Sequence, residues 1–418
     1  MMLRVVKLGG STLATPEQVR AMAQALATMH RGQEKVLAVV SAMGKTTDHL
    51  YDAFIRAAGE RADALDLERF LSQGEWASAQ LLAAALKTAG QDSVAITPWD
   101  KNWPLAVALQ NHAAPLKEKV NEIRNFKLLT SSKRMVHNVI GGHLKAGRIP
   151  VVCGFVAKNQ SGEVVTLGRG GSDISAFLLA DILKADEVIL VKDVDGVLPW
   201  DPNVAGVHPK AKVAHLEAKE LYFLSSAGSR VVHPGALRYL KAGKKARVIS
   251  YKSDDWAKGG TEILKTPHAA LRLLDIPLAA LTFIGRDLVS TPGILYEISR
   301  PLKETGVSIY SITVSESFLA VYVPEKDCEK AYGFLAEVAA RIPQLKSSAV
   351  KKGLVKITVS SEESIEAPGA IERLVRPIAR AGLNVWEIVT IHSDIMLFVE
   401  KPLAQKVVRS LKRSLKTK

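Results

Sequence analysis

Three short clusters in the sequence combine small residues with charge in a way that suits phosphate chemistry. The first is Lys7-Leu8-Gly9-Gly10-Ser11. Glycine lets a backbone N–H approach a phosphate oxygen closely, and bare amides in such a turn form an anion site. Lys7 would set its charge on the same phosphates. The same residues also read as a plain tight turn after a buried strand. The second cluster, Thr166-Leu167-Gly168-Arg169-Gly170-Gly171-Ser172-Asp173, precedes a helix that begins near Ser172. Helix N-termini attract anions, Arg169 offers a planar fork for a carboxylate, and Ser172 or Asp173 could equally be a helix cap. The third, Lys192-Asp193-Val194-Asp195-Gly196-Val197, follows an apolar strand. It reads either as an acidic turn or as part of the ligand-binding edge of an α/β sheet. Phosphoryl transfer asks a protein mainly to position groups and neutralise charge, and these clusters supply both. Gly44-Lys45-Thr46 resembles the end of a Walker A loop, but Val39 stands where the first glycine should be, so a P-loop is rejected. No G-x-G-x-x-G opens a helix. Cys153 and Cys328 lie far apart without companions at ligand spacing, and read as two buried thiols in a reducing compartment rather than a metal site.

The elements that must hold these clusters alternate between two periods. Leu3–Leu8, Val36–Val40, Val94–Thr97, Ile149–Cys153 and Glu187–Val191 read as strands. Pro16–Met29, Arg69–Leu86 (broken near Gly74), Arg134–Ala146 and Asp173–Leu183 read as helices. Strand–helix alternation implies a mostly parallel sheet with helices on both faces. Runs such as Val36–Val40 are apolar throughout, as a sheet buried on both faces requires.

The character changes after about residue 265, where a repeat begins at a constant, ungapped offset. Pro292-Gly293 matches Pro368-Gly369, Arg300-Pro301 matches Arg376-Pro377, Gly306 matches Gly382, Ile312 matches Ile388, Ser317 matches Ser393 and Val323 matches Val399. Each unit starts with a strand, Leu281–Ile284 or Leu354–Val359. A Pro-Gly pair then opens a helix with proline in its first turn, a glycine closes it, and two strands and a further helix follow. The layout is β-α-β-β-α, twice. The expected divisions are 1–265, 279–350 and 351–418.

Of 418 residues 47% are hydrophobic, enough for a sizeable core, and the formal charge is +14. Much of that charge lies in Lys241–Arg247 and in the segment from Lys401 to Lys418, where Val407, Val408, Leu411 and Leu415 interleave at helical spacing. An amphipathic helix with a solvated basic face accounts for the second segment without a nucleic-acid partner. With neither a signal peptide nor an apolar run of spanning length, the chain is expected to be cytoplasmic and without membrane contact.

Together the motifs resemble the aspartokinase branch of the amino-acid kinase family. The resemblance is carried by Lys7–Leu13, Val39–Leu50, Leu71–Leu82, Thr166–Ala176, Lys192–Val197 and Ser229–Pro234, while the repeat resembles a pair of ACT domains, which bind amino-acid effectors. It implies an amino-acid kinase fold followed by two ferredoxin-like regulatory units, and transfer of the ATP γ-phosphoryl group to the side chain of L-aspartate, the entry to lysine, threonine and methionine synthesis. By that resemblance Lys7 would stabilise the transferring group, with Gly9, Gly10 and Ser11 about the nucleotide phosphates. Ser41, Thr47 and Ser172 would line the aspartate pocket. Glu75 would pair with the substrate ammonium, Arg169 with a substrate carboxylate, and Asp173 would orient the catalytic cations. Lys192, Asp193 and Lys252 would contact the nucleotide. Mg2+ would arrive with ATP, with no dedicated protein metal site. Lysine, threonine or both would bind near Thr291, Pro292, Gly293, Ile294, Ile309 and Ser311, in a homo-oligomer joined through the ACT units. Lys192, Leu198 and Asn203 depart from the family's usual threonine, tyrosine and arginine, all on the nucleotide side. The competing readings are a kinase of the same fold acting on another acid such as acetylglutamate, and a non-catalytic amino-acid sensor.

Overall fold

The computed structural model describes the chain apart from residues 32–33, 110–123, 202–210, 230, 267–270, 361–368, 392–393 and 417–418. Asn203, Arg230, Pro368, Ser393 and Lys418, singled out above, lie outside the described residues. The chain divides into two units, Met1–Pro267 and His268–Lys418.

The first unit is built on an eight-stranded sheet. Its spatial order is His215–Glu217, Thr261–Leu264, Lys245–Ser250, Glu187–Lys192, Leu3–Leu8, Lys35–Val40, Ile149–Cys153, Ser93–Ile96. All neighbours run parallel except Lys245–Ser250 against Thr261–Leu264. Val36 to Val40 are all buried, so this strand is covered on both faces, which is why it carries no polar alternation. Helix Pro16–Arg31 packs on Gln73–Thr88, and Gly171–Leu183 packs with Thr130–Lys145 and Pro234–Leu237. Nearly every residue of Gly171–Leu183 is buried, so it is apolar all round rather than striped. The helical stretch expected over Arg69–Leu86 is two helices, Ala64–Leu71 and Gln73–Thr88, meeting at Ser72.

The order of the strands has a consequence for ligands. After Leu3–Leu8 the chain crosses to Lys35–Val40 on one side; after Glu187–Lys192 it proceeds to Lys245–Ser250 on the other. The loops leaving these two central neighbours therefore diverge, and a crevice opens at the carboxyl edge between them. At the opposite, amino edge the sheet is stitched by charge. Arg4 Nε and Arg247 Nε lie 3.0 and 3.1 Å from the two oxygens of Glu187, and Arg247 Nη2 lies 3.0 Å from Glu262. Arg4 also pairs with Glu34.

The second unit carries one antiparallel sheet ordered Ser311–Val314, Phe318–Pro324, Leu278–Gly285, Leu345–Ser360, Asp394–Glu400, Glu387–Ile391. The two β-α-β-β-α repeats are both present, and they share the Leu345–Ser360 strand. Its first part pairs with Leu278–Gly285 and its last part with Asp394–Glu400. At the handover the ladder slips. Lys352 and Gly353 stand opposite Ala279 alone, Gly353 takes φ 77°, and its N–H donates to Glu325 at 2.8 Å. This is a β-bulge with glycine in the left-handed position. Matching repeat positions share their backbone state: Gly293 and Gly369 are left-handed N-caps of helices Ile294–Glu304 and Ala370–Arg380, and Pro301 and Pro377 sit inside those helices. Pro292 therefore precedes the cap instead of occupying the first turn, because glycine takes the left-handed cap and proline, fixed at negative φ, cannot. The last helix, Ala404–Lys416, buries Val407 and Leu411 and exposes Lys406, Arg409 and Lys412, as its amphipathic pattern requires. Among the described residues no helix is long and apolar enough to cross a membrane.

Candidate active site

A cavity of about 370 Å3 opens at the carboxyl edge of the first unit's sheet. It gathers Lys7, Gly10, Ser41, Thr47 and Glu75 from the amino-terminal half and Arg169, Ser172 and Asp173 from the second glycine cluster. Residues more than a hundred positions apart meet here because parallel strands deliver all their outgoing loops to one edge.

Lys7 is a buried lysine near the end of Leu3–Leu8, and its Nζ lies 2.8 Å from Asp173 Oδ1. The other oxygen, Oδ2, accepts the backbone N–H of His233 at 3.1 Å. Burial alone would push the Asp173 carboxyl up, but Lys192, Lys7 and the His233 N–H together hold it well below the usual carboxylate range. Lys192 shares this environment: burial lowers its pKa, and Asp173 opposes the drop. Register supports the proximity. Lys7 pairs with Leu190 in the neighbouring parallel strand, and residues two apart in a strand face the same side, so Lys192 lies on the face that carries Lys7. Two ammonium groups thus share one carboxylate, which leaves positive charge over for an anion. Oδ1 faces the Lys7 ammonium as an ion pair and Oδ2 takes the His233 N–H, so what Asp173 visibly does is hold Lys7 in place.

Glu75 sits in the first turn of Gln73–Thr88, almost fully buried. Its Oε1 accepts the N–H of Ala42 at 3.1 Å, while Oε2 is buried with no partner among the described residues. Burial raises its pKa to about 8, against the pull of the Ala42 N–H and of Lys7. Across the cavity Arg169 is exposed and makes no hydrogen bond or ion pair among the described residues. A guanidinium fork and a buried carboxylate oxygen, both without partners and facing one cavity, are complementary to the carboxylate and ammonium of an amino acid.

The glycines turn out to serve different ends. A Cβ on Gly10 would lie 2.7 Å from the Ala42 carbonyl oxygen, and Gly44 donates its N–H to the Gly10 carbonyl at 2.9 Å. Gly10 is therefore small so that two loops can touch, and it also lines the cavity. A Cβ on Gly9 would meet Lys7 Nζ at 3.9 Å, so Gly9 does flank the ammonium. The second cluster's helix starts at Gly171 with Gly170 as a left-handed N-cap, so neither Ser172 nor Asp173 caps it and both remain available to the cavity.

Ser11, Lys192, Asp193 and Lys252 do not line this cavity. Asp193 and Lys252 are exposed at the carboxyl ends of adjacent strands, where the N–H of Tyr251 donates to the Lys192 carbonyl at 2.8 Å. Tyr51, Asp48 and Phe155 line the cavity and were not foreseen. Tyr51 lies one helical turn after Thr47 in the helix after Lys45, a spacing readable in the sequence; Asp48 and Phe155, the latter held at φ 68°, left no such signal. In the second unit, Pro292, Gly293 and Ile309 are exposed, Thr291 hydrogen-bonds Asp287, and Ser311 pairs with Tyr322. Ile294 points into the core, so only its backbone is on offer there.

Residues 2–250 match the model of the amino acid kinase family. The chain belongs to that family. Residues 274–337 match an ACT domain. The aspartate kinase of Stutzerimonas stutzeri is 27% identical over 427 residues, covering 98% of this chain and 96% of its own. Among solved structures, aspartate kinase from Synechocystis superposes with a TM-score of 0.74 at 25% identity, over 99% of this chain and 69% of that one. E. coli aspartokinase III in complex with aspartate and ADP shares the fold, with a TM-score of 0.54 at 20% identity over 99% of each chain.

Proposed function

We propose that this member of the amino acid kinase family is an ATP-dependent aspartate kinase that forms 4-phospho-L-aspartate and ADP, the step that opens lysine, threonine and methionine synthesis. One observation carries the reading: the partnerless Arg169 fork and the partnerless Glu75 Oε2 face the cavity that also holds Lys7. Arg169 takes the α-carboxylate and Glu75 the ammonium, and the remaining side-chain carboxylate is directed at Lys7. Lys7, held by Asp173, neutralises charge on the transferring phosphoryl group, and Lys192 adds a second cation on the same face. Ser41, Thr47 and Ser172 supply hydroxyls to the acceptor. Gly9, Ser11, Asp193 and Lys252 border the nucleotide along the same edge. On this reading Mg2+ enters on the nucleotide, where it screens phosphate charge.

The second unit is the regulatory part. It takes an amino acid, lysine or threonine, near Thr291–Ile294 and Ile309–Ser311, and joins copies of the chain into a homo-oligomer. The two free, buried thiols fit a cytoplasmic protein.

The test is ADP release from Mg-ATP with L-aspartate, with and without lysine and threonine. Aspartate-dependent turnover that falls with one effector is the expected result. A folded protein that phosphorylates acetylglutamate or another acid while aspartate is inert would overturn the assignment.

A further inference from the structure

Outside the cavity, one charged cluster in the first unit is gripped more tightly than any surface pair. Glu68 lies in helix Ala64–Leu71 between the buried Leu67 and Leu71, and is itself 3% exposed. Its two oxygens receive Arg124 in a fork, Nη2 at 2.6 Å from Oε1 and Nη1 at 2.9 Å from Oε2. Oε2 also accepts the N–H of Thr166 at 2.7 Å, and Arg124 Nη1 donates to the carbonyl of the same Thr166 at 3.1 Å. The ion pair therefore holds both backbone polar groups of one residue. Thr166 is the last residue of strand Val164–Thr166 and stands three positions before Arg169. The next N–H, of Leu167, is taken by the Phe155 carbonyl at 2.7 Å.

A buried carboxylate is costly unless it is paired and its lone pairs are used, and Glu68 meets both conditions from its helix. A surface pair could drift with little loss. This one has fork geometry and two backbone contacts, so its position is directional. On one side it is fixed to the helix that leads, through Ser72, into the helix bearing Glu75. On the other it is fixed to the root of the loop bearing Arg169. We infer that Glu68 and Arg124 are positioning residues that set the separation of Glu75 and Arg169, and with it the fit of the amino-acid acceptor. The inference rests on the aspartate-kinase reading of that cavity. It concerns the acceptor rather than the nucleotide, because the clamped strand leads to Arg169.

The experiment compares wild type, Glu68→Gln and Arg124→Lys in steady-state kinetics, varying aspartate and ATP separately. Gln keeps an acceptor for Thr166 but loses the ion pair. Lys keeps the charge beside Glu68 but cannot reach two carboxylate oxygens and a carbonyl together. Each variant should raise KM for aspartate about tenfold, the loss of roughly one charge-assisted hydrogen bond's worth of alignment, while kcat and KM for ATP stay within about twofold. The double variant should be no worse than the poorer single one, since both remove the same clamp. Thermal unfolding checks that the variants are folded; if Glu68→Gln does not fold, Arg124→Lys alone decides. Folded variants with wild-type KM for aspartate, or with both KM values and kcat shifted together, overturn the inference while leaving the function intact. A wild-type protein inert towards aspartate overturns the functional reading, and this inference with it.

Discussion

The two edges of the first unit's sheet use similar residues to opposite ends. At the amino edge Arg4, Glu187, Arg247 and Glu262 form a chain in which every buried charge meets an opposite one. At the carboxyl edge Lys7 and Lys192 share Asp173, and among the described residues Arg169 has no partner and Glu75 leaves one oxygen bare. Arg4 and Lys7 belong to the same six-residue strand. About 10 Å of strand thus separates charge that is spent within the fold from charge held over for something that comes from outside. Complete pairing marks a structural network, and incomplete pairing at the edge where loops converge marks a site.

Four perturbations would break or sharpen this contrast. The largest effect belongs to Glu187→Gln, which takes from Arg4 and Arg247 the buried carboxylate they share and leaves each only its outer partner, Glu34 or Glu262. It should lower unfolding free energy by about 3–5 kcal/mol in urea titration, with KM values unchanged in the protein that remains folded. Lys7→Ala should do the converse, reducing kcat about a hundredfold or more with little loss of stability, in a coupled ADP assay. Smaller still is a pH effect. The Glu75 pKa is raised to about 8, so below that value its carboxyl is mainly protonated and cannot receive an ammonium. KM for aspartate should therefore fall as pH rises, by up to about tenfold per unit, and level off above about 8; Glu75→Gln should flatten the profile. The smallest change is Asp92→Ala. It removes the exposed partner of Arg148 at 2.9 Å and should shift unfolding free energy by less than about 1 kcal/mol.

What the sequence made legible follows the range of the interactions. The buried strands Lys35–Val40 and Ile149–Cys153 announce themselves because burial on both faces leaves no room for a polar residue. The second glycine cluster is legible because its loop, its helix start and its charged residues are contiguous. Lys7, Glu75, Arg169 and Asp173 could be named because each sits in its own local motif. Their convergence could not be read from any one of them, since it depends on strand order. The Glu68–Arg124–Thr166 clamp joins three separate stretches and leaves no local pattern at all. Gly10 shows a related limit: a glycine looks the same in sequence whether its missing side chain makes room for a ligand or for a neighbouring loop, and here a loop passes close. Pro292 shows the same limit on a smaller scale, displaced by one step because the adjacent Gly293 took the cap.

The strand common to both halves of the regulatory unit carries a final consequence. The change of partner along it is made beside the bulge at Lys352 and Gly353, where the left-handed Gly353 has open space in place of a side chain. A replacement there would meet no steric wall, only a backbone penalty of about 1–2 kcal/mol. The passage from one half's ladder to the other's therefore runs beside a single left-handed glycine, like the crease of a folded card.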